Sequence, residues 1–174
     1  TSPMMGVNCL LHATVSEDAF FGTLDLTDFY LGSPMPAPEF IIIHAALFSD
    51  QLLIDLKITP YVQKDKAGKD FFYARVDKTM PGFRQAGLHA CEHVTSLLLK
   101  HGYYQTQPCM FTHNTDPIFF ALVVDDYGVK YTDRIHFDRL VACLSQKYHV
   151  KAHPTASSFL GMTITHDRTA RTIT

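Results

Sequence analysis

The stretch "PIFFALVVDDYGVKY" (117–131) restricts the fold more than any other part of the chain. Apolar residues run unbroken from Ile118 to Val124 and stop at Asp125 and Asp126. The run is too short to cross a bilayer as a helix, and its aromatic and β-branched residues read as a buried strand. "DYGVKY" then carries the chain back as a second strand. Two neighbouring carboxylates at the end of a buried strand repel each other and are costly to desolvate unless something positive holds them. Asp is also a favoured turn residue, so on its own the dipeptide between two strands is most often just a hairpin turn.

The 174 residues suffice for one domain with a core, and 47% hydrophobic against 18% charged residues reads as globular. Fifteen basic and seventeen acidic residues give a formal charge of −2, which is not the balance of a complete nucleic-acid-binding protein. The ten histidines soften that objection below neutral pH. Cys9, Cys91, Cys109 and Cys143 are scattered without a C-x-x-C pair. A reduced intracellular setting is expected rather than a disulfide framework, with Cys9, Cys109 and Cys143 packing as small hydrophobes. Neither a leader nor a membrane span is read, so no membrane partner is expected. The chain starts without Met and stops in "RTARTIT", inside a strand pattern, and reads as a piece of something longer.

Residues 3–15 space their apolar side chains as a helix, with Ser2 as cap and Pro3 in the first turn. "AFFGTLDL" (19–26) reads as a buried strand ending in an acid, followed by a Pro- and Gly-rich turn, "DFYLGSPMPAP". "EFIIIHAAL" is a strand running into a helical segment, "KDKAGKD" (64–70) a charged hairpin tip, and "FFYARV" the return strand. Helical spacing spans 85–101 with Gly102 as its stop, and "DRIHFDRLVACLSQKYH" is an amphipathic helix capped by Asp133. "SSFLGMTITHD" reads as one more strand. This order predicts an α+β fold with helices packed on one face of an antiparallel sheet.

Three acids thus stand where strands end: Asp25, Asp125 and Asp126. If the two strands are neighbours, Asp25 and Asp125 meet about 5 Å apart at a sheet rim. Carboxylates converging at such distances favour a hard divalent cation such as Mg²⁺, and a pair of such ions suits phosphoryl displacement.

"LDLTDFYLGSPMPAPEF", "GFRQAGLHA", "LLLKHGYYQ", "FTHNTDPIFFALVVDDYGVKY" and "FLGMTI" together resemble, in order and spacing, the reverse transcriptases of copia-like LTR retrotransposons over about residues 1–167. The resemblance implies an RNA-directed DNA polymerase palm of ferredoxin-like fold over 1–174. A partial fingers insertion would occupy 34–80, with no thumb or RNase H domain. Its partners would be an RNA or DNA template-primer and a dNTP, and its cofactor two Mg²⁺ ions, replaceable by Mn²⁺. Asp25, Asp125 and Asp126 match the catalytic, metal-binding aspartates. Val123 stands where the family often has the Tyr of its "YxDD" hairpin. Tyr30 matches the aromatic gate that excludes a ribose 2′-hydroxyl. Gln85 matches the glutamine beside nucleotide and template, with Phe29 and Arg84 also assigned to nucleotide binding. "PGFRQAG" departs from the family's "YGLPQAG", which frees the backbone before Gln85 and adds a cation there. Lys147 and Lys151 are both candidates to protonate the leaving pyrophosphate, and each is also explained as a solvated lysine. In "FLGMTI" the family's hairpin supports the primer, while Phe159, Leu160 and Met162 also suit a core.

The 24 residues before Asp25 contain no Lys or Arg, whereas the family grips the triphosphate with cations well upstream. Weak binding of nucleotide and template by this chain alone is therefore expected. The same features leave open an alternative: a catalytically inactive, palm-derived nucleic-acid-binding or assembly module from a degenerate element. "HACEH" (89–93) sets two histidines one helical turn apart but lacks a third ligand, and reads as helix surface.

Overall fold

The computed structural model describes residues 4–174; the expected cap Ser2 and the first-turn Pro3 lie outside the described residues. In chain order the elements are α1 (Met4–Ser16), β1 (Phe20–Thr27), β2 (Pro34–His44), α2 (Asp50–Asp55), β3 (Gln63–Lys64), β4 (Asp70–Lys78) and α3 (Ala86–Lys100). They continue with β5 (Tyr103–Gln107), β6 (Met110–His113), β7 (Ile118–Val123), β8 (Asp126–Tyr131), α4 (Arg134–Leu144) and β9 (His149–His153). Four two-residue strands close the chain: β10 (Ser158–Phe159), β11 (Met162–Thr163), β12 (His166–Asp167) and β13 (Thr172–Ile173).

The fold is a mixed α+β one built on a six-stranded sheet in the order β5-β6-β7-β8-β1-β9. All its pairings are antiparallel. The apolar run of β7 lies near the middle, where both faces of a strand are covered. Ile118, Phe120 and Leu122 enter one cluster with Leu24 and Leu26 of β1, Val94 and Leu98 of α3, and Phe137 and Leu140 of α4. The alternate residues Phe119, Ala121 and Val123 pack into a second cluster with Val7 and Leu10 of α1 and Phe159 of β10.

The expectation of helices on one face is corrected by this second cluster. α3 and α4 cover one side, but α1 and the closing hairpins cover the other. The reason lies in β7, whose two sets of alternating residues are both apolar and both need cover.

Local chemistry sets the element ends. The Asp133 carboxylate accepts the Ile135 amide at 2.9 Å and caps α4. Gly102, with φ +84°, takes the left-handed position just past α3, as its stop signal implied. The prolines of "SPMPAP" extend β2 rather than closing a turn. That is tolerated because β2 is an edge strand of the three-stranded sheet β2-β4-β3, with a register shift between Pro34 and Glu39. At the "KDKAGKD" tip, the Asp65 carboxylate accepts the Ala67 and Lys69 amides, both at 2.8 Å, as a solvated hairpin turn does.

Among the described residues no helix is long and apolar enough to cross a membrane. Cys9 is exposed on α1, contrary to the expectation that it packs as a small hydrophobe.

Candidate functional site

β1 and β8 pair so that Asp25 lies directly opposite Asp126. The sequence had suggested Asp125 as the partner. The register differs by one residue because Val123 pairs with Asp126, leaving Val124 and Asp125 as the two turn residues. Asp125 stays attached to β1 through its backbone carbonyl, which accepts the Leu26 amide at 3.1 Å. Burial, then the negative charges of Asp125 and Asp25, hold the Asp126 carboxyl above the usual carboxylate range. The three acids therefore form one electrostatically coupled group at the sheet rim.

Val124 has φ +61°, and of the two turn residues only it takes the left-handed region. A hairpin turn of this kind favours Gly at that place, and a β-branched residue there is strained. Val124→Gly is expected to raise stability by about 0.5–1 kcal/mol, the strain relieved less the added freedom of the unfolded chain. The midpoint of urea unfolding checks this; a lower midpoint would show that Val124 contributes more by packing than it costs in strain.

β9 brings a cation to the other side of β1. Lys151 is the register partner of Asp25, and its Nζ donates to Asp25 Oδ2 at 3.2 Å. Both side chains are partly exposed, so the pair contributes at most about 1 kcal/mol. Lys147 lies exposed in the turn after α4. An open cleft of about 240 Å³ separates the carboxylates from the β10–β11 turn, with Thr23, Asp25, Asp126, His153, Phe159 and Gly161 on its walls. That turn joins the two halves of what had been read as one strand. Leu160 (φ +52°) and Gly161 (φ +75°) are both left-handed and reverse the chain within two residues.

Tyr30 lies in a second, smaller hollow of about 40 Å³, with Phe29, Gly87, Leu122 and Val124 on its walls. It reaches the hairpin tip from the α3 side, whereas the cleft with Asp25 and Asp126 opens beside Phe159. Phe29 is buried in the first core cluster, edge-on to Tyr30 at 5.4 Å and tilted against Tyr148 at 6.1 Å, so it supports Tyr30 from below. The Tyr30 carbonyl accepts the Thr79 hydroxyl and the Ser33 amide, tying the segment after β1 to the end of β4. Arg84 and Gln85 are exposed just before α3, three and two residues from Gly87 in the Tyr30 hollow.

The histidines of "HACEH" diverge. His89 Nδ1 approaches Glu92 at 3.5 Å on the surface, while His93 Nδ1 lies 2.9 Å from the Tyr148 hydroxyl. His93 is thus a half-buried link between α3 and the end of α4, which corrects its reading as helix surface. Among the described residues, no group of three or more His, Cys, Asp or Glu side chains is placed to hold a metal ion. Two features had no sequence signal: the pairing of Lys151 with Asp25, set by an edge strand, and the apposition of Cys91 and Cys109.

No protein-family model matches this chain, and no curated protein matches it. Among solved structures it is similar to telomerase from Candida albicans in complex with the TWJ fragment of telomeric RNA. The identity is 14% over 92% of this chain and 32% of that one, with a TM-score of 0.45. The chain thus spans about a third of that protein's length, and at this level of likeness nothing about the site follows from it.

Proposed function

We propose that this chain is the palm of an RNA-directed DNA polymerase of the copia-like retrotransposon type, with residues 34–80 as a partial fingers insertion. The observation that carries the reading is the in-register opposition of Asp25 and Asp126 on adjacent strands, with Asp125 in the tight turn between β7 and β8. It joins, at one rim, the acids that the sequence motifs single out.

The acids suit Mg²⁺. They offer hard oxygen donors, and burial with the charges of Asp125 and Asp25 already raises the Asp126 carboxyl, so added positive charge would favour its ionised form. Mg²⁺ takes one or two carboxylates and completes its shell with water and substrate phosphate, so a closed protein cage is not required. When bound, Mg²⁺ or Mn²⁺ supplies charge neutralisation at the attacking and leaving oxygens.

The chain's own residues would do the rest. Asp25, Asp125 and Asp126 hold the ions. Tyr30, braced by Phe29 and by the Thr79 hydroxyl, excludes a ribose 2′-hydroxyl and so selects dNTP. Gln85 and Arg84 lie against nucleotide and template at the start of α3. The template-primer is held so that the primer 3′-hydroxyl meets the α-phosphate in line, and positioning contributes much of the rate. Lys151, already at the carboxylates, is better placed than Lys147 to give a proton to the departing pyrophosphate.

One observation favours the second reading, an inactive palm-derived binding module: the ammonium of Lys151 already lies on the Asp25 carboxylate. Primer extension on an RNA template with dNTPs and Mg²⁺ or Mn²⁺ separates the two. The first reading expects extension that is lost in Asp25→Asn. Template-primer binding without extension by either protein supports the second.

A further inference from the structure

Cys91 on the inner side of α3 and Cys109 in the turn between β5 and β6 bring their sulfurs to 3.2 Å. A disulfide needs about 2.05 Å, so roughly 1 Å of approach closes the bond. The placement of Cys109 is costly. It follows Pro108 in a two-residue turn and has φ +59°, where Gly is the favoured residue. A sulfur is thus held in left-handed backbone directly against a second one.

We propose that Cys91 and Cys109 form an oxidation site, at which a small peroxide converts the two thiols to an internal disulfide. An open cleft of about 710 Å³, walled by Gly87, Leu88, Cys91, Thr95, Gln105 and Cys109, gives a peroxide access to the pair. The hydrogen bond between the two sulfurs holds the Cys109 thiol below its ordinary range, which makes Cys109 the sulfur that attacks. Its sulfur takes one hydroxyl from the peroxide as the O–O bond breaks. The other oxygen leaves as water with the thiol proton. Cys91 then attacks the sulfenic sulfur, the S–S bond forms, and the hydroxyl departs as a second water with the Cys91 proton. Two thiols lose two electrons and one peroxide becomes two waters. Both cysteines also line the hollow that holds Tyr30 and Val124, so the bond fixes one wall of that hollow. The proposal does not rest on the polymerase reading.

The two remaining cysteines are internal controls. Cys9 is exposed on α1, and Cys143 is buried with its thiol pushed up to about 11 by desolvation. The test treats the reduced full chain with substoichiometric hydrogen peroxide, alkylates the remaining thiols and maps peptides without reduction. A Cys91–Cys109 linked peptide, two hydrogens lighter than its parts and formed before Cys9 is consumed, is the expected result. Oxidation of Cys9 while Cys91 and Cys109 both alkylate would overturn the proposal, as would Cys109 sulfinic acid without a link.

Discussion

Phe120→Ala is expected to cost the fold about 3–5 kcal/mol, against a total of about 5–15 kcal/mol for a domain of this kind. Phe120 is fully buried in the middle of β7, opposite Phe111 in β6 and Val129 in β8. Its ring stacks on Phe111 at 5.3 Å and lies 5.7 Å from Tyr103 and 5.8 Å from Tyr127. These neighbours come from three strands of one sheet, so none can move far to fill the space. Among the described residues the buried Tyr127 hydroxyl has no hydrogen-bond partner. Phe119→Ala, on the same strand but half-buried on the α1 side, should cost roughly half as much, because less of its surface leaves water. Urea unfolding at constant slope measures both. A Phe120→Ala cost no larger than that of Phe119→Ala would mean that the α3–α4 side is not the main core.

Strands and helices that bury apolar side chains were legible in the sequence, as was the largely exposed β2, whose β-branched "EFIII" reads as a strand on composition. β1, β4, β7, β8, α3 and α4 announce themselves because burial forces a period on the residues. β5 reads "YYQTQ" and β9 reads "HVKAH"; both are edge strands whose side chains are largely exposed, so no pattern is imposed on them. Missing β9 had a consequence at the site, since its register places Lys151 beside Asp25. The three acids could be found because strand ends bring them to one rim, but which two face each other depends on how many residues the turn takes. The closing "SSFLGMTITHD" looked like one strand because "FLGM" is nearly continuous in hydropathy. The left-handed Leu160 and Gly161 break it, and only the glycine of the two is a turn signal in the sequence. The contact between Cys91 and Cys109 joins a helix to a turn 18 residues later, and no spacing rule covers such a pair.

Asp126→Asn is expected to act in opposite directions on chemistry and on stability. The Asp126 carboxyl is held above its ordinary range by burial and by the charges of Asp125 and Asp25. The folded chain therefore holds that proton more tightly than the unfolded chain. The ionised carboxylate weakens the fold at neutral pH, and the penalty fades as the pH falls through the folded value. Asn carries no charge at any pH, so the variant should unfold at higher denaturant than the wild type at pH 7. The two should converge once Asp126 is protonated in both states. Under the proposed function, the same change removes an oxygen donor from the metal cluster, and extension should fall by at least about 10²-fold, the usual scale for losing one electrostatic contributor to a transition state. Mg²⁺ should raise the unfolding midpoint of the wild type by mass action, and that rise should shrink in the variant. A variant that is more stable and inactive fits a carboxylate kept for chemistry at the expense of the fold. Retained extension would remove Asp126 from the reaction. Lower stability at pH 7 would show that it supports the β1–β8 pairing instead.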